Sequence, residues 1–193
     1  MNILHFSNRT SFPFLMLLLA ASLMMACQGG QEKQKSISEL EKAYNDAISE
    51  NGMGLRSEEL SSIIRDLVGA YETFAKENPD DPKSVQYLYQ AAELYDTNLG
   101  ESNQAIAVFD RIIQNYGNHE RASDALFKKA YIYNNTFGDT ARARITYQEF
   151  LQRFPEHPMH ESAEFELRNL GKTPEQILQE IQQQKQDSSQ EAS

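Results

Sequence analysis

The sequence predicts an all-α fold, a helical-hairpin solenoid with a period of about 38 residues and cap helices flanking it. Three observations carry this. The stretch from Leu88, "LYQAAELYDTNLGESNQAIAVFDRIIQNYGNH", aligns without a gap on the stretch from Leu126, "LFKKAYIYNNTFGDTARARITYQEFLQRFPEH". Within each stretch apolar residues recur at i, i+3, i+4 and i+7, the spacing of one helix face. Glycine or proline closes each run, as expected where a helix must stop.

The elements follow in chain order. Residues 1–26 read as a signal segment: Arg9 is its only formal charge, and an apolar run from Phe12 to Ala26 follows. That run is about fifteen residues, against the roughly 20 that a spanning helix needs. It ends at Met24-Met25-Ala26-Cys27, and Cys27 is the only cysteine in the chain. The arrangement resembles the lipobox of bacterial lipoproteins, which implies lipidation of Cys27 and cleavage before it. A secreted chain with one cysteine cannot staple itself with a disulfide. Gln28 follows, where Asp would imply inner-membrane retention in that family. The resemblance therefore implies an outer-membrane location, with the periplasmic face favoured over the cell surface. Residues 27–36 are the lipidated Cys and a polar, flexible tether.

The helical domain is expected over residues 37–185. Leu40, Ala43, Tyr44, Ala47 and Ile48 predict a short amphipathic helix ended by Asn51-Gly52-Met53-Gly54. Ser57 is the expected N-cap of the next, with Leu60, Ile63, Ile64, Leu67, Val68, Tyr71 and Phe74 on one face. In each repeat the first helix carries a stripe such as Leu88, Ala91, Ala92, Tyr95 and Leu99. Gly100 and Gly138 close these helices in a left-handed conformation. The second helix carries Ala105, Ile106, Phe109, Ile112, Ile113 and Tyr116, and stops at Gly117, or at Pro155 one repeat later. Ser162–Leu170 starts a further first helix. Thr173, Pro174 and Gln176 then form a capping box. Ile177, Leu178 and Ile181 give the helix that follows an apolar stripe, expected to close the solenoid. Residues 186–193 are expected to be a disordered polar tail.

These residues resemble the tetratricopeptide repeat (TPR) family. Leu88-x3-Ala92-x2-Tyr95 and Leu126-x3-Ala130-x2-Tyr133 match its first helix. Ala143-x3-Tyr147-x2-Phe150-x4-Pro155 matches its second, as does Ala105-x3-Phe109-x2-Ile112 with Gly117 in the proline place. The period is longer than the family's 34 residues. The resemblance implies a concave protein-binding face on the first helices, at Tyr89, Glu93, Asp96 and Thr97 in one repeat. In the next repeat the matching residues are Phe127, Tyr131, Asn134 and Asn135. With the lipobox, the whole resembles bacterial TPR lipoproteins, such as that of the outer-membrane β-barrel assembly complex, and the periplasmic TPR protein associated with Tol–Pal. What this implies is a non-enzymatic scaffold or adaptor in cell-envelope assembly or maintenance, its partner another envelope protein or peptide segment. The alternative is a lipoprotein that binds a glycan or other nutrient ligand for an outer-membrane uptake system.

Composition excludes other classes. A net charge of −10 disfavours nucleic acid, whose phosphates need clustered Lys and Arg. No Gly-rich phosphate loop, G-x-S-x-G or H-E-x-x-H is present. His119, His157, His160 and Glu161 include ligand types suited to zinc. His119 and His157, however, fall at one turn of successive repeats, as exposed turn residues. The sequence therefore predicts no metal, no cofactor and no catalytic residue. Glu58-Glu59 and Asp80-Asp81 are expected to complement helix N-termini.

Overall fold

The computed structural model describes residues 37–49 and 58–191. The signal segment, Cys27, the tether, the Asn51–Gly54 turn and Ser57 lie outside the described residues. The chain divides into two units, Met1–Leu55 and Arg56–Ser193. In the first unit, helix α1 spans residues 37–49, with Leu40, Ala43, Tyr44, Ala47 and Ile48 half-buried along one stripe.

The second unit contains α2 (Glu58–Glu77), α3 (Pro82–Leu94), α4 (Ser102–Asn115), α5 (Glu120–Asn135), α6 (Thr140–Arg153), α7 (His160–Asn169) and α8 (Pro174–Glu191). Each helix from α2 to α7 packs on its neighbour in sequence, and α3 also touches α5. No strand occurs among the described residues. This is the predicted all-α stack of hairpins.

Small and large side chains alternate to build it. Ala92, Ala105, Ala130 and Ala143 are fully buried, so paired backbones approach closely. Phe109, Ile112, Tyr147 and Phe150 fill the space between hairpins, also fully buried. Burial of each such large apolar side chain contributes about 1.5–3 kcal/mol. On α2, Ile64, Leu67, Val68, Tyr71 and Phe74 are buried, as their spacing predicts. A polar seam reinforces the α2–α4 side. Glu72 accepts the Tyr95 hydroxyl at 2.9 Å and pairs with Arg111. Burial, then this hydrogen bond, pushes the Tyr95 phenol up to about 12.

The helix ends repeat as well. Past α3 the chain widens into a π-helical turn over Tyr95–Leu99, and Gly100 follows at φ 68°. The Glu101 N–H donates to the Tyr95 carbonyl at 2.7 Å. One repeat on, the Phe137 N–H reaches Ile132 at 3.2 Å, Gly138 has φ 63°, and the Asp139 N–H donates to Tyr133 at 2.7 Å. In both, the residue after a left-handed glycine bonds back six positions, one more than in a Schellman closure, as the widened turn requires. The extra residues of the widened turn contribute to the long period.

The turn between hairpins is equally regular. Asp81 Oδ1 accepts the Lys83 N–H at 2.8 Å, His119 Nδ1 accepts Arg121 N–H at 3.1 Å, and His157 Nδ1 accepts Met159 N–H at 3.2 Å. These three residues occupy one repeat position, so both histidines serve the turn. His119 is exposed as expected, but His157 is half-buried, its ring packed against Phe150 at 5.4 Å.

The C-terminal end departs from expectation. The capping box forms: the Thr173 N–H donates to Gln176 Oε1 at 2.8 Å, and the Gln176 N–H donates to Thr173 Oγ1 at 3.3 Å. Yet α8 does not close the core, because Leu178 is 56% exposed and Ile181 38%. The cause lies in α7, which has only 10 residues. Gly171, at φ 78°, ends it ahead of the place set by Gly100 and Gly138. The chain therefore turns before a second helix could enter in register. α8 also runs on to Glu191, beyond the boundary at 185 that the sequence suggested. No proline or glycine interrupts its Gln-rich second half, and Gln is a good helix former.

Two glycines test this account of helix ends. A Cβ on Gly138 would meet nothing within 4 Å, so its φ of 63° is the sole obstacle to a side chain. Gly138→Ala should cost about 1–2 kcal/mol, the left-handed penalty for an L-residue. Gly69 lies inside α2 with equally open space. Gly69→Ala should stabilise by about 0.5–1 kcal/mol through helix propensity. Urea unfolding of the two variants should shift in opposite directions.

Candidate functional site

Helices α3 and α5 are the first helices of successive hairpins and α7 stands at the start of the next repeat; the resemblance puts the candidate binding residues in the repeats of α3 and α5. The structure sorts the eight candidate residues into different roles.

On α3 and the π-helical turn that follows it, the candidates are committed to intramolecular contacts. Tyr89 is half-buried, its ring 5.8 Å from Phe109 and capped by the Arg121 guanidinium at 4.7 Å. Burial pushes its phenol well above the ordinary tyrosine range. Glu93 pairs with Lys128 at 3.1 Å. Asp96 accepts the Ser102 hydroxyl at 2.5 Å, and the exposed Thr97 donates its hydroxyl to the Glu93 carbonyl at 2.7 Å. Arg121 further bonds Gln86 at 3.0 Å. The junction between α3 and α5 is thus closed by two cations that α5 supplies.

On α5 the picture differs. Phe127 is 8% exposed, wedged edge-on against Tyr147 at 5.5 Å and Phe150 at 5.7 Å. It belongs to the core, a correction to its place on the open face, because α6 presents two rings to it. Tyr131 is 45% exposed. Asn134 is half-buried, and the exposed Asn135 donates its amide to the Tyr131 carbonyl at 3.1 Å. Of the eight residues, Tyr131 alone offers a large, open ring.

Three groups escape the sequence reading. Phe165 on α7 occupies the repeat position of Tyr89 and Phe127 but is 41% exposed, since no second helix covers it. It lines a cleft of about 350 Å³ between α7 and α8, with Arg168, Ile177, Glu180 and Ile181. Glu166 occupies the position of Lys128. Tyr147 on α6 is fully buried, and its hydroxyl has no hydrogen-bond partner among the described residues. Its phenol is pushed well up, first by burial, then by the charge of Glu166 and by Tyr131. The 38-residue shift applied to Lys128 would have pointed to Glu166; nothing in the sequence marks the Tyr147 hydroxyl as unpartnered. No cluster of three or more His, Cys, Asp or Glu side chains fit to hold a metal occurs among the described residues.

Burial alone raises the Glu166 carboxyl above the ordinary glutamate range. The native state therefore binds this proton more tightly than the unfolded chain does. The stability due to this group is fullest in acid, below the unfolded value, and is lost as pH rises through the folded value. Glu166→Gln removes that loss. Urea unfolding should find the variant more stable than wild type near neutral pH, with the gap closing in acid.

The tetratricopeptide repeat family model matches residues 86–119 and 124–157, which cover the hairpins α3–α4 and α5–α6. No curated protein and no solved structure matches the chain. Over those two hairpins the chain is similar to tetratricopeptide repeat proteins in sequence, and its helices stack as the repeat requires.

Proposed function

We propose that the chain is a non-enzymatic scaffold that binds a segment of another cell-envelope protein along the α3–α5–α7 face. In this proposal lipid on Cys27 anchors it to the outer membrane, with the helical domain in the periplasm. One observation carries the binding reading: the α3–α5 junction is closed by its own ion pair and cation–ring contact, whereas the α5 position of Glu93 holds an exposed tyrosine, Tyr131. Tyrosine gives a large rigid contact surface at low entropic cost, and aromatic side chains are enriched at protein interfaces. The two matched repeats support the same reading, because stacked repeats create extended concave surfaces suited to partners. The anchoring reading is supported by the placing of the single cysteine at the end of the apolar run.

The test pairs two variants in crosslinking pull-downs from native-host membranes. Tyr131→Ala combined with Asn134→Ala should lose the partner while helicity and melting temperature stay within a few degrees of wild type. Loss of folding in step with binding would sink this site assignment. Cys27→Ala should shift the protein from the membrane fraction to the soluble fraction; unchanged fractionation would contradict the lipid anchor.

A further inference from the structure

By the 38-residue register α7 stands to α5 as α5 stands to α3, and the residues at the matching positions differ in one respect. In the first, α3 offers Tyr89 and Glu93, and α5 answers with two cations. Arg121 lies over the Tyr89 ring at 4.7 Å, and Lys128 pairs with Glu93 at 3.1 Å. In the second, α5 offers Phe127 and Tyr131. At the positions of Arg121 and Lys128 stand Met159, which precedes α7, and Glu166 on α7. Both cations are thus replaced, one by a neutral thioether and one by a carboxylate.

Glu166 is half-buried and has no hydrogen bond or ion pair among the described residues. Its carboxyl is shifted by burial alone, with no cation acting on it. Lys129 pairs with Asp110, Arg142 with Asp139 and Arg153 with Glu149, each at 2.6 Å, and neither these nor the exposed Arg144 and Arg168 form an ion pair with Glu166. The Tyr147 hydroxyl, fully buried on α6, has no hydrogen-bond partner among the described residues, and the charge of Glu166 adds to burial in raising it. A half-buried carboxylate without a partner is costly, and a hydrogen-bonded cation is what relieves it. The exposed Tyr131 ring, at the repeat position whose counterpart Glu93 meets Lys128, adds a face for cation–π attraction.

We propose that the α5–α7 junction receives a lysine or arginine side chain from the bound segment, seated against the Tyr131 ring and paired with the Glu166 carboxylate. The inference rests on the protein-binding reading above and names the chemistry of the partner: a basic segment. The incoming cation takes the part that Lys128 plays for Glu93 within the chain. The net charge of −10 would speed the approach of such a segment.

The test uses the full-length chain in a neutral detergent and four fluorescent libraries of capped decapeptides. Each library holds one central residue fixed, as Arg, Lys, Leu or Glu, and randomises the rest. The Arg and Lys libraries should bind about tenfold or more tightly than the Leu and Glu libraries, as expected for one charge-assisted contact. Glu166→Gln should remove most of that preference without lowering the melting temperature, and Glu166→Lys should turn it towards the Glu library. Equal affinity for all four libraries, with binding still lost in Tyr131→Ala, would overturn this proposal and leave the binding face standing. No binding to any library, or binding indifferent to Tyr131→Ala, would overturn both.

Discussion

Close approach of helices at alanine is the constraint on which the rest depends. Ala92 and Ala105 lie in one core cluster, Ala130 and Ala143 in the next, and all four are fully buried. A larger side chain there would hold the paired helices apart, and overpacking of this kind typically costs about 1–3 kcal/mol. With the backbones close, Phe109, Tyr147 and Phe150 are left to fill the wedge between one hairpin and the next. A hairpin cannot cover its own outer face, so each one depends on its neighbour. That dependence ends at α7, where the chain turns away before a second helix can follow. The exposed Phe165 is the residue left over.

The same packing fixes where polar groups can act. Where first helices meet, as α3 meets α5, residues at set repeat positions face one another. Between α3 and α5 this brings opposite charges together. On α5 and α7 the same two positions hold an exposed tyrosine and a carboxyl group whose hold on its proton is strengthened by burial. The contrast arises from two residue choices, Tyr131 for Glu93 and Glu166 for Lys128.

Much of the fold was legible because its signals are local. Gly100 and Gly138 mark left-handed helix ends whatever surrounds them, and both adopt that conformation. Thr173 and Gln176 form their box from neighbours in sequence. The alanine and aromatic spacing set the stack, because periodicity reports which face is buried. The burial of a given candidate was harder to read. Phe127 looked like a groove residue, but its exposure depends on the rings that α6 presents, far along the chain. The apolar stripe of α8 looked like a cap, but docking it requires a longer α7 than the chain supplies. For the candidate site, the open position of Tyr131 on α5 was legible from the repeat spacing. The lack of an ion-pair partner at Glu166 was not, because it depends on the helices around it and not on its own sequence neighbours.

The most direct measurement places a photo-crosslinking amino acid at position 131 in the native host. A control carries the same group at position 145, where Ile145 is 65% exposed on α6, off the first-helix face. The account predicts one defined envelope protein crosslinked from position 131 and absent from the control. Identical products from both positions, or none from position 131, would contradict it.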